Sequence, residues 1–207
     1  MKHARRRVES EESFGLRDTL IWCGIPIVIV LLVRMFLFGF YVIPSGSMLE
    51  TLQIGDHLLV NKFLYGLRNP FNDDYLIRGV EPKVGDIIVF RYPKDRSLDY
   101  IKRIVGVPGD TLEMRNKVLY RNGVEVQEPY TQHSQPLIMI PGRDNWGPIT
   151  VPADKFFALG DNRDDSADSR FWGFLDRNDI RGKAWRIYWS ADGLSNIRLN
   201  RIGRAVE

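Results

Sequence analysis

Residues 116–127 read NKVLYRNGVEVQ, two β-rich segments joined by Asn122-Gly123. A two-residue type I′ turn needs a positive φ at both central positions, and Asn-Gly is a preferred pair there. The stretch therefore predicts a β-hairpin. Other short apolar runs bounded by turn residues follow residue 42, namely DHLLVNKF, GDIIVFRYP, DYIKRIVGVPGD, DKFFALGDN and GKAWRIYWS.

Such runs at fairly regular spacing are typical of antiparallel strands. We therefore predict a mostly β domain over residues 42–207, built as a coiled antiparallel sheet or a partly closed barrel. Residues 127–152 are rich in Pro and Gly and show weak periodicity. They indicate a loop-dominated excursion, and we place a small inserted subdomain at about residues 111–158.

Composition excludes several classes of protein. The chain has 207 residues, which is long enough for one domain and an appendage. Its net charge is +3. Its basic residues are not interleaved with aromatics as in nucleic-acid binders, so we expect no nucleic-acid partner. A single cysteine, Cys23, rules out a disulfide framework within the chain. The three histidines show no metal-ligand spacing, and we expect no metal and no cofactor.

A long apolar run, LIWCGIPIVIVLLVRMFLFGFYVI, covers residues 20–43. Roughly 20 apolar residues suffice for a helix to cross the ~30 Å hydrocarbon core, so we predict a transmembrane helix over residues 20–41. Arg34 lies near one end, where its stem can carry the guanidinium to the headgroups. Pro26 is expected to kink the helix. A buried core helix is the alternative.

The charges that flank this run predict its orientation. Lys/Arg-rich flanks stay in the cytoplasm, and no Lys or Arg occurs between residues 35 and 61. Residues 1–19 are thus expected to form a basic cytoplasmic tail, and the rest to be translocated. The run ends without an A-x-A-like site, which favours an anchor that is not cleaved. The basic residues of the N-terminal flank are Lys2, Arg5, Arg6, Arg7 and Arg17.

The sequence PSGSM at residues 44–48 places serines in a sharp turn directly after the apolar run. A serine nucleophile needs a general base. His57 and His133 are candidates, although each has the setting of a surface histidine. The other route is a lysine kept neutral by burial. Lys102 lies on an apolar strand, where alternation sets it opposite Arg103; the pattern does not decide which of the two faces the core.

The polar stretch GDNRDDSADSR, residues 160–170, follows an apolar strand. Five of its side chains resemble the oxygen ligands of a calcium loop, which is one interpretation beside a polar surface loop: Asp161, Asn162, Asp164, Asp165 and Asp168. However, it lacks the spacing and distal glutamate of an EF-hand, and its two arginines oppose a cation. A fixed hydrogen-bonding loop that supports a site fits better.

Four stretches in this order, PSGSM after an apolar segment, GDHLLVNK, DYIKRIVGVPGD and GDNRDDSADSR, resemble the bacterial type I signal peptidases, as does the C-terminal NIRLNRIGRAVE. The resemblance implies that Ser47 is the nucleophile and Lys102 its general base. It also implies that the hydroxyl of Ser45 and the backbone N–H of Ser47 form the oxyanion hole.

The last of the four stretches implies three supporting residues. Ser166 matches a serine that orients the lysine, and Asp168 and Arg170 match a supporting ion pair. Two positions depart from the family pattern. Glu50 stands where proline is usual. Asp165 stands where asparagine is commoner, and its charge would tend to raise the pKa of Lys102 unless Arg163 or Arg170 neutralises it.

The resemblance implies a membrane-anchored endopeptidase that removes N-terminal signal peptides with a serine–lysine dyad, cutting after small residues in A-x-A-like sites. Its partners would be secretory preproteins, the lipid bilayer and, by proximity, the translocation machinery. Its place would be the bacterial inner membrane, with the catalytic domain outside the cytoplasm. Five aromatic residues could form an apolar rim at the membrane or belong to the core: Phe63, Tyr65, Phe71, Phe171 and Trp172.

Two other classes of protein remain to be separated from this one. A self-cleaving regulator can use the same serine–lysine chemistry on a similar β fold, but it would carry a DNA-binding domain where this chain has the apolar segment. A membrane-tethered β module that only binds envelope proteins would show binding without turnover.

Overall fold

A computed structural model describes residues 15–69, 75–193 and 196–207 of the chain. It is mostly β, with a long helix α1 (Leu16–Phe36) and a short helix α2 (Ser169–Trp172). Residues 1–14 of the predicted basic tail lie outside the described part. The strands are β1 (Phe38–Val42), β2 (Asp56–Asn61), β3 (Gly66–Arg68), β4 (Tyr75–Arg78), β5 (Ile87–Tyr92), β6 (Asp95–Gly106), β7 (Thr111–Arg115), β8 (Val118–Arg121), β9 (Val124–Glu125), β10 (Trp146–Thr150), β11 (Lys155–Leu159), β12 (Leu175–Asp176), β13 (Ile180–Asp192) and β14 (Asn196–Ile197).

The main sheet has the strand order β1-β2-β13-β5-β6-β11-β12, with β14 paired to β13. All of these pairs are antiparallel, as the turn-bounded runs predicted. The path is open within the described residues, because its end strands β1 and β12 do not pair with each other. The prediction of a mostly β fold is confirmed, but the described strands do not close a barrel.

A second, four-stranded sheet has the order β10-β7-β8-β9 and lies wholly between Thr111 and Thr150. Its β8–β9 hairpin is the one predicted from the sequence. Asn122 has φ 54° and Gly123 has φ 80°, so both turn residues adopt the left-handed conformation that a type I′ turn requires. These strands fall within the range predicted for an inserted subdomain.

The apolar run predicted as one helix over residues 20–41 is divided in two. Helix α1 ends at Phe36, and the aromatic-rich end of the run becomes β1, the outer strand of the main sheet. Pairing with β2 explains the change, since five residue pairs join the strands from Phe38↔Asn61 to Val42↔His57. None of the helices in the described ranges meets the length and hydropathy expected of a membrane span.

The core consists of three buried apolar clusters, and one of them holds the segment that follows PSGSM. Met48 and Leu52 are fully buried against Leu58, Val60 and neighbouring residues of the main sheet. Burying each such side chain contributes roughly 1.5–3 kcal/mol. The segment is therefore fixed to the sheet by its own side chains.

The five aromatic residues considered for an apolar rim separate into two groups. Tyr65 and Trp172 are buried in the core. Phe63 and Phe171 are more than half exposed. Phe71 lies outside the described residues. Of the four that the structure describes, only Phe63 and Phe171 are free to meet an apolar surface.

Candidate active site

Ser47 lies in a turn that the loop at residues 160–170 holds from the other side. Its carbonyl oxygen accepts a hydrogen bond from the backbone N–H of Asn162 at 3.2 Å. The side-chain amide of Asn162 donates to the carbonyl of Gly46 at 3.0 Å. With Met48 buried beneath it, the turn is fixed at both ends, so the hydroxyl of Ser47 has a defined direction.

Lys102, on β6, is the side chain that meets this hydroxyl. Its Nζ lies 2.7 Å from Ser47 Oγ and 2.9 Å from the carbonyl oxygen of Ile101. The residue is only 3% exposed, and the ring of Tyr100 lies 5.6 Å from the amine. A charged ammonium would donate to the serine oxygen, whereas a neutral amine could accept the serine proton.

Burial lowers the pKa of Lys102 from its usual 10.5 to about 8. Removing an ammonium from water disfavours its charged form. The carboxylates of Asp168 and Asp161 oppose this shift, while the charge of Arg170 adds to it. Asp165, which the sequence suggested as a source of negative charge, is exposed. A substantial fraction of Lys102 is thus neutral near pH 8.

The alternation along β6 left open whether Lys102 or Arg103 faces the core, and in the structure both are buried. Arg103 is 3% exposed, like Lys102, but it points to the other face of β6. There its guanidinium forms two hydrogen bonds with Asp161, at 2.9 and 2.8 Å. The strand is covered on both faces at this point, so both cations are removed from water. The charge of Arg103 is compensated by the carboxylate of Asp161, whereas Lys102 has a lowered pKa.

The loop at residues 160–170 is fixed by a buried ion pair. Arg170 donates to both oxygens of Asp168, at 2.8 and 2.7 Å, and also to the carbonyl of Arg163 at 2.6 Å. Asp168 also accepts the backbone N–H of Gly160 at 3.0 Å. The pair therefore joins both ends of the loop.

Ser166 is a buried residue of the same loop, and its hydroxyl has no hydrogen-bond partner among the described groups. Gly160 separates it from the nucleophile turn: a Cβ there would come within 2.5 Å of the carbonyl oxygen of Ser47 and would overlap the Ser166 hydroxyl. Ser166 thus lies next to the Ser47 turn with an unused hydroxyl.

A cleft of about 410 Å³ opens over these residues. Ser45 is exposed in it, next to Ser47. Two carboxylates, Asp99 and Asp165, also line it. Its lining consists of Pro44, Ser45, Gly46, Ser47, Asp99, Tyr100, Ile101, Lys102, Asp165 and Ala167.

The two histidines considered as bases have other neighbours. A ring nitrogen of His57 lies 3.4 Å from the hydroxyl of Tyr188. His133 lies 3.6 Å from Asp164, and burial lowers its pKa. In the described ranges, no group of three or more His, Cys, Asp or Glu side chains is placed to hold a metal ion.

Several residues that support the site were missed by the sequence reasoning. The sequence suggested Asn162 only as an oxygen ligand, yet it ties the loop to the Ser47 turn. Residues 128–132 fall in the predicted irregular excursion, yet they bind the outer side of the same loop. Arg163 donates to both oxygens of Glu128 at 2.6 Å, and Gln132 pairs with Asn162. Their long-range partners leave no periodic signal in the sequence.

Comparison with known proteins gives consistent matches. A family model described as signal peptidase, peptidase S26, matches residues 16–189. Signal peptidase I of Pseudomonas aeruginosa is 38% identical over 213 residues, covering 84% of this chain and 74% of that protein. Signal peptidase I P of Bacillus subtilis subsp. natto is 40% identical over 196 residues, covering 91% of this chain and 97% of that protein. A crystal structure of a signal peptidase I from Enterococcus faecalis aligns with 50% of this chain and 97% of its own, at 33% identity and a TM-score of 0.42.

Proposed function

This chain belongs to the signal peptidase family, peptidase S26, and is a serine peptidase of that family; we propose that it removes signal peptides with Ser47 as nucleophile and Lys102 as general base. The observation that carries the proposal is the 2.7 Å contact between Lys102 Nζ and Ser47 Oγ. A buried amine at hydrogen-bond distance from a serine hydroxyl is the arrangement that serine–lysine variants of the triad require.

The proposed reaction begins when the neutral amine of Lys102 takes the proton of Ser47 as its oxygen attacks the scissile carbonyl. The carbonyl oxygen becomes an oxyanion, which the hydroxyl of Ser45 and the N–H of Ser47 stabilise. One such donor typically contributes about 3 kcal/mol to the transition state. The C–N bond then breaks, and Lys102 gives its proton to the leaving amine.

Water completes the proposed reaction. The same amine of Lys102 removes a proton from the water as it attacks the ester carbon, and the proton returns to Ser47 when the acid product leaves. We assign Ser166, with its unused hydroxyl, to orienting the lysine amine. We assign Asp168 and Arg170 to holding the loop that carries Ser166, since their buried ion pair spans that loop.

We further propose that the apolar segment at residues 20–41 anchors the protein in the bacterial inner membrane, with the tail at residues 1–19 in the cytoplasm. The catalytic domain, residues 42–207, would then act outside, and residues 111–158 would form its inserted subdomain. The flanking charges support this orientation. Ser47 follows the segment by only a few residues, which would hold the cleft near the membrane surface where signal-peptide cleavage sites emerge. Secretory preproteins with small residues in A-x-A-like sites are the proposed substrates.

The test is cleavage of a detergent-solubilised preprotein across pH. The wild type is expected to cut after a small residue, with kcat/KM rising as pH increases through about 8, because the active form of Lys102 is the neutral amine. Lys102→Ala should fold but lose activity. Lys94→Ala, which changes an exposed lysine, serves as the matched control and should retain it.

Near-normal cleavage by Lys102→Ala would mean that another base serves Ser47, and His57 and His133 would be tested next. Preprotein binding without turnover in the wild type would favour the binding module. Cleavage of the enzyme's own chain, dependent on Ser47, would favour the self-cleaving regulator.

A further inference from the structure

Asp165 lies in the cleft beside the proposed nucleophile. It lines the same cleft as Ser45 and Ser47, and it is exposed there. The next residue in the chain, Ser166, is buried, and its hydroxyl and the carbonyl oxygen of Ser47 both lie against Gly160. The carboxylate of Asp165 is therefore near the proposed reaction centre, yet it has no part in the proposed proton transfers.

The two arginines of the same loop do not neutralise this carboxylate. Arg163 donates to both oxygens of Glu128, and Arg170 donates to both oxygens of Asp168. Among the described residues, no side chain forms a hydrogen bond or an ion pair with the carboxylate of Asp165. It is therefore available to a cation that comes from outside the chain.

The backbone that carries Asp165 is fixed on both sides. Its N–H donates to the carbonyl of Asn162 at 3.1 Å. The preceding residue, Asp164, has a fully buried side chain that accepts a hydrogen bond from Lys117 Nζ at 2.6 Å. The following residue, Ser166, is buried as well. A group that is already held in place loses less conformational entropy when it binds a partner.

The other charged side chains of the cleft do not compensate Asp165 either. Lys102 is the single cationic residue in the described lining, and it is the neutral amine in the proposed active form. Asp99 is the second carboxylate, but it accepts a hydrogen bond from Tyr41 and lies 3.8 Å from Arg181 Nε. With Lys102 neutral, the described lining carries negative charge only, and this favours a bound cation beside Asp165.

The geometry of an extended substrate limits which of its side chains can meet this carboxylate. Successive side chains of an extended chain point in opposite directions. In an A-x-A-like site, the first and third residues before the cut are small and share one direction, towards the floor of the cleft. The residue between them and the first residue after the cut point the other way, towards solvent. An exposed carboxylate such as Asp165 is placed to meet side chains of this second group.

We propose that Asp165 binds a lysine or arginine side chain of the substrate at one of these two positions, so that the enzyme prefers preproteins with a basic residue there. The inference rests on the proposed function, since it adds a preference to the same site. The long stem of a lysine or arginine lets its charge reach a carboxylate at the side of the cleft. An ion pair that is equally strong in the bound substrate and in the transition state lowers KM and leaves kcat unchanged.

Two pairs of matched signal-peptide substrates test this preference with the full chain in dodecyl maltoside micelles. One pair has Ala-Lys-Ala or Ala-Gln-Ala before the cut, and the other has Lys or Gln directly after it. For each pair, the ratio of kcat/KM for the Lys peptide to that for the Gln peptide is measured. In Asp165→Asn, which keeps the shape but not the charge, the ratio of one pair should fall by roughly three- to fivefold, as is typical of an exposed ion pair. The fall should lie in KM.

The ratio cancels any general loss of activity, because both peptides of a pair meet the same enzyme. Asp192→Asn changes an exposed aspartate outside the cleft lining and should keep the wild-type ratios. In about 1 M salt, where the Debye length is roughly 3 Å, the wild-type preference should shrink. Ratios that are equal in the wild type and in Asp165→Asn for both pairs would overturn the inference. A ratio that falls through kcat, with KM unchanged, would overturn the assignment of Asp165 to substrate binding.

Binding of the same peptides, labelled for fluorescence anisotropy, to Ser47→Ala and to Ser47→Ala/Asp165→Asn separates this inference from the proposed function. Cleavage of all four peptides with no effect of Asp165→Asn on the ratios overturns the inference and leaves the proposed function standing. A wild type that cleaves none of them overturns the proposed function, and the Lys-to-Gln ratios of binding affinity then decide the inference. Unfolding midpoints control for misfolding. If Asp165→Asn fails to fold, the salt dependence of the wild-type ratio decides, and a ratio unchanged by salt overturns the inference.

Discussion

Gly160 occupies a place where even a methyl group does not fit. The Cβ of an alanine at this position would lie 2.5 Å from the backbone carbonyl oxygen of Ser47, and the hydroxyl of Ser166 would be closer still. We expect Gly160→Ala to push the Ser47 turn away from Lys102. Because misplacing a reacting group by about 1 Å can cost about 100-fold in rate, kcat should fall by roughly that factor.

Steady-state cleavage of a preprotein would check this, together with the unfolding midpoint. Gly24→Ala is the matched control, since a Cβ at that helical position meets nothing within 4 Å. Full activity in Gly160→Ala would show that the turn can shift without cost, and would contradict the tight packing described above.

Lys102 should lower the stability of the fold at neutral pH. Its pKa is about 8 in the folded chain against 10.5 ordinarily. The unfolded chain therefore binds more protons between these values, and stability falls as pH decreases from 10.5 to 8. Below pH 8 the full loss in the free energy of unfolding is reached, about 3 kcal/mol.

We therefore expect Lys102→Met to be inactive yet more stable than the wild type at pH 7, by up to about 3 kcal/mol. The gain should shrink as the pH approaches 10.5. Urea unfolding at several pH values measures both effects. A stability difference that stays constant with pH would mean that the folded state does not disfavour the charged amine.

At the scale of elements, residues 128–132 act as a strap across the loop at residues 160–170. Arg163 is almost fully buried, and Glu128 is the carboxylate that pairs with it. The ring of Tyr130 lies 3.8 Å from the guanidinium of Arg103, and the N–H of Gln132 donates to the carbonyl of Asp161 at 2.8 Å. The irregular excursion thus holds the loop that lies beside Lys102.

Removing one partner of a buried ion pair leaves the other charge uncompensated, which typically costs about 3–5 kcal/mol. We expect Glu128→Gln to lower the free energy of unfolding by an amount in this range. The double variant Glu128→Gln/Arg163→Met removes both charges and should recover part of the loss. Denaturant unfolding of the three proteins forms the test; a double variant less stable than Glu128→Gln would count against the uncompensated charge as the cause.

The features that could be predicted from the sequence are those with a local signature. Asn122-Gly123 predicted its hairpin, and turn-bounded apolar runs predicted the antiparallel strands. Alternation put Lys102 and Arg103 on opposite faces but could not say that both faces are covered, because that depends on partners far away in the chain. The contacts of Asn162 and Glu128 depend on the same tertiary packing. The end of α1 was misplaced because hydropathy is similar for a membrane helix and for an apolar edge strand such as β1.

At the scale of the whole molecule, the position of β1 decides how the apolar segment relates to the catalytic domain. Phe38 stacks on Trp185 with ring centroids 5.9 Å apart, and Phe40 meets the edge of Tyr188 at 5.5 Å. β1 covers the outer edge of β2 and leads directly into the turn that carries Ser47. The boundary between the segment and the domain should therefore fall before Phe38, not after residue 41.

Two truncated chains test this boundary. A chain that starts at residue 37 keeps β1 and should unfold cooperatively and cleave a soluble signal-peptide substrate, while losing its attachment to vesicles. A chain that starts at residue 43 lacks β1, so the edge of β2 is left unpaired and open to association. Its Ser47 turn is then anchored from one side only, and we expect at least about 100-fold lower kcat/KM together with a lower unfolding midpoint.

Ser47→Ala in the longer of these two chains gives the background rate for the comparison. Equal activity and stability in the two chains would mean that β1 is dispensable, so that the anchor could extend to residue 41 as the hydropathy alone suggested. If only the longer chain is active, the aromatic end of the apolar run is part of the enzyme. Helix α1 and the sheet then meet at a single residue, Leu37. Its N–H still bonds to the carbonyl of Val33, and its carbonyl accepts the N–H of Lys62. So short a junction would leave the cleft little freedom to move relative to the end of the helix.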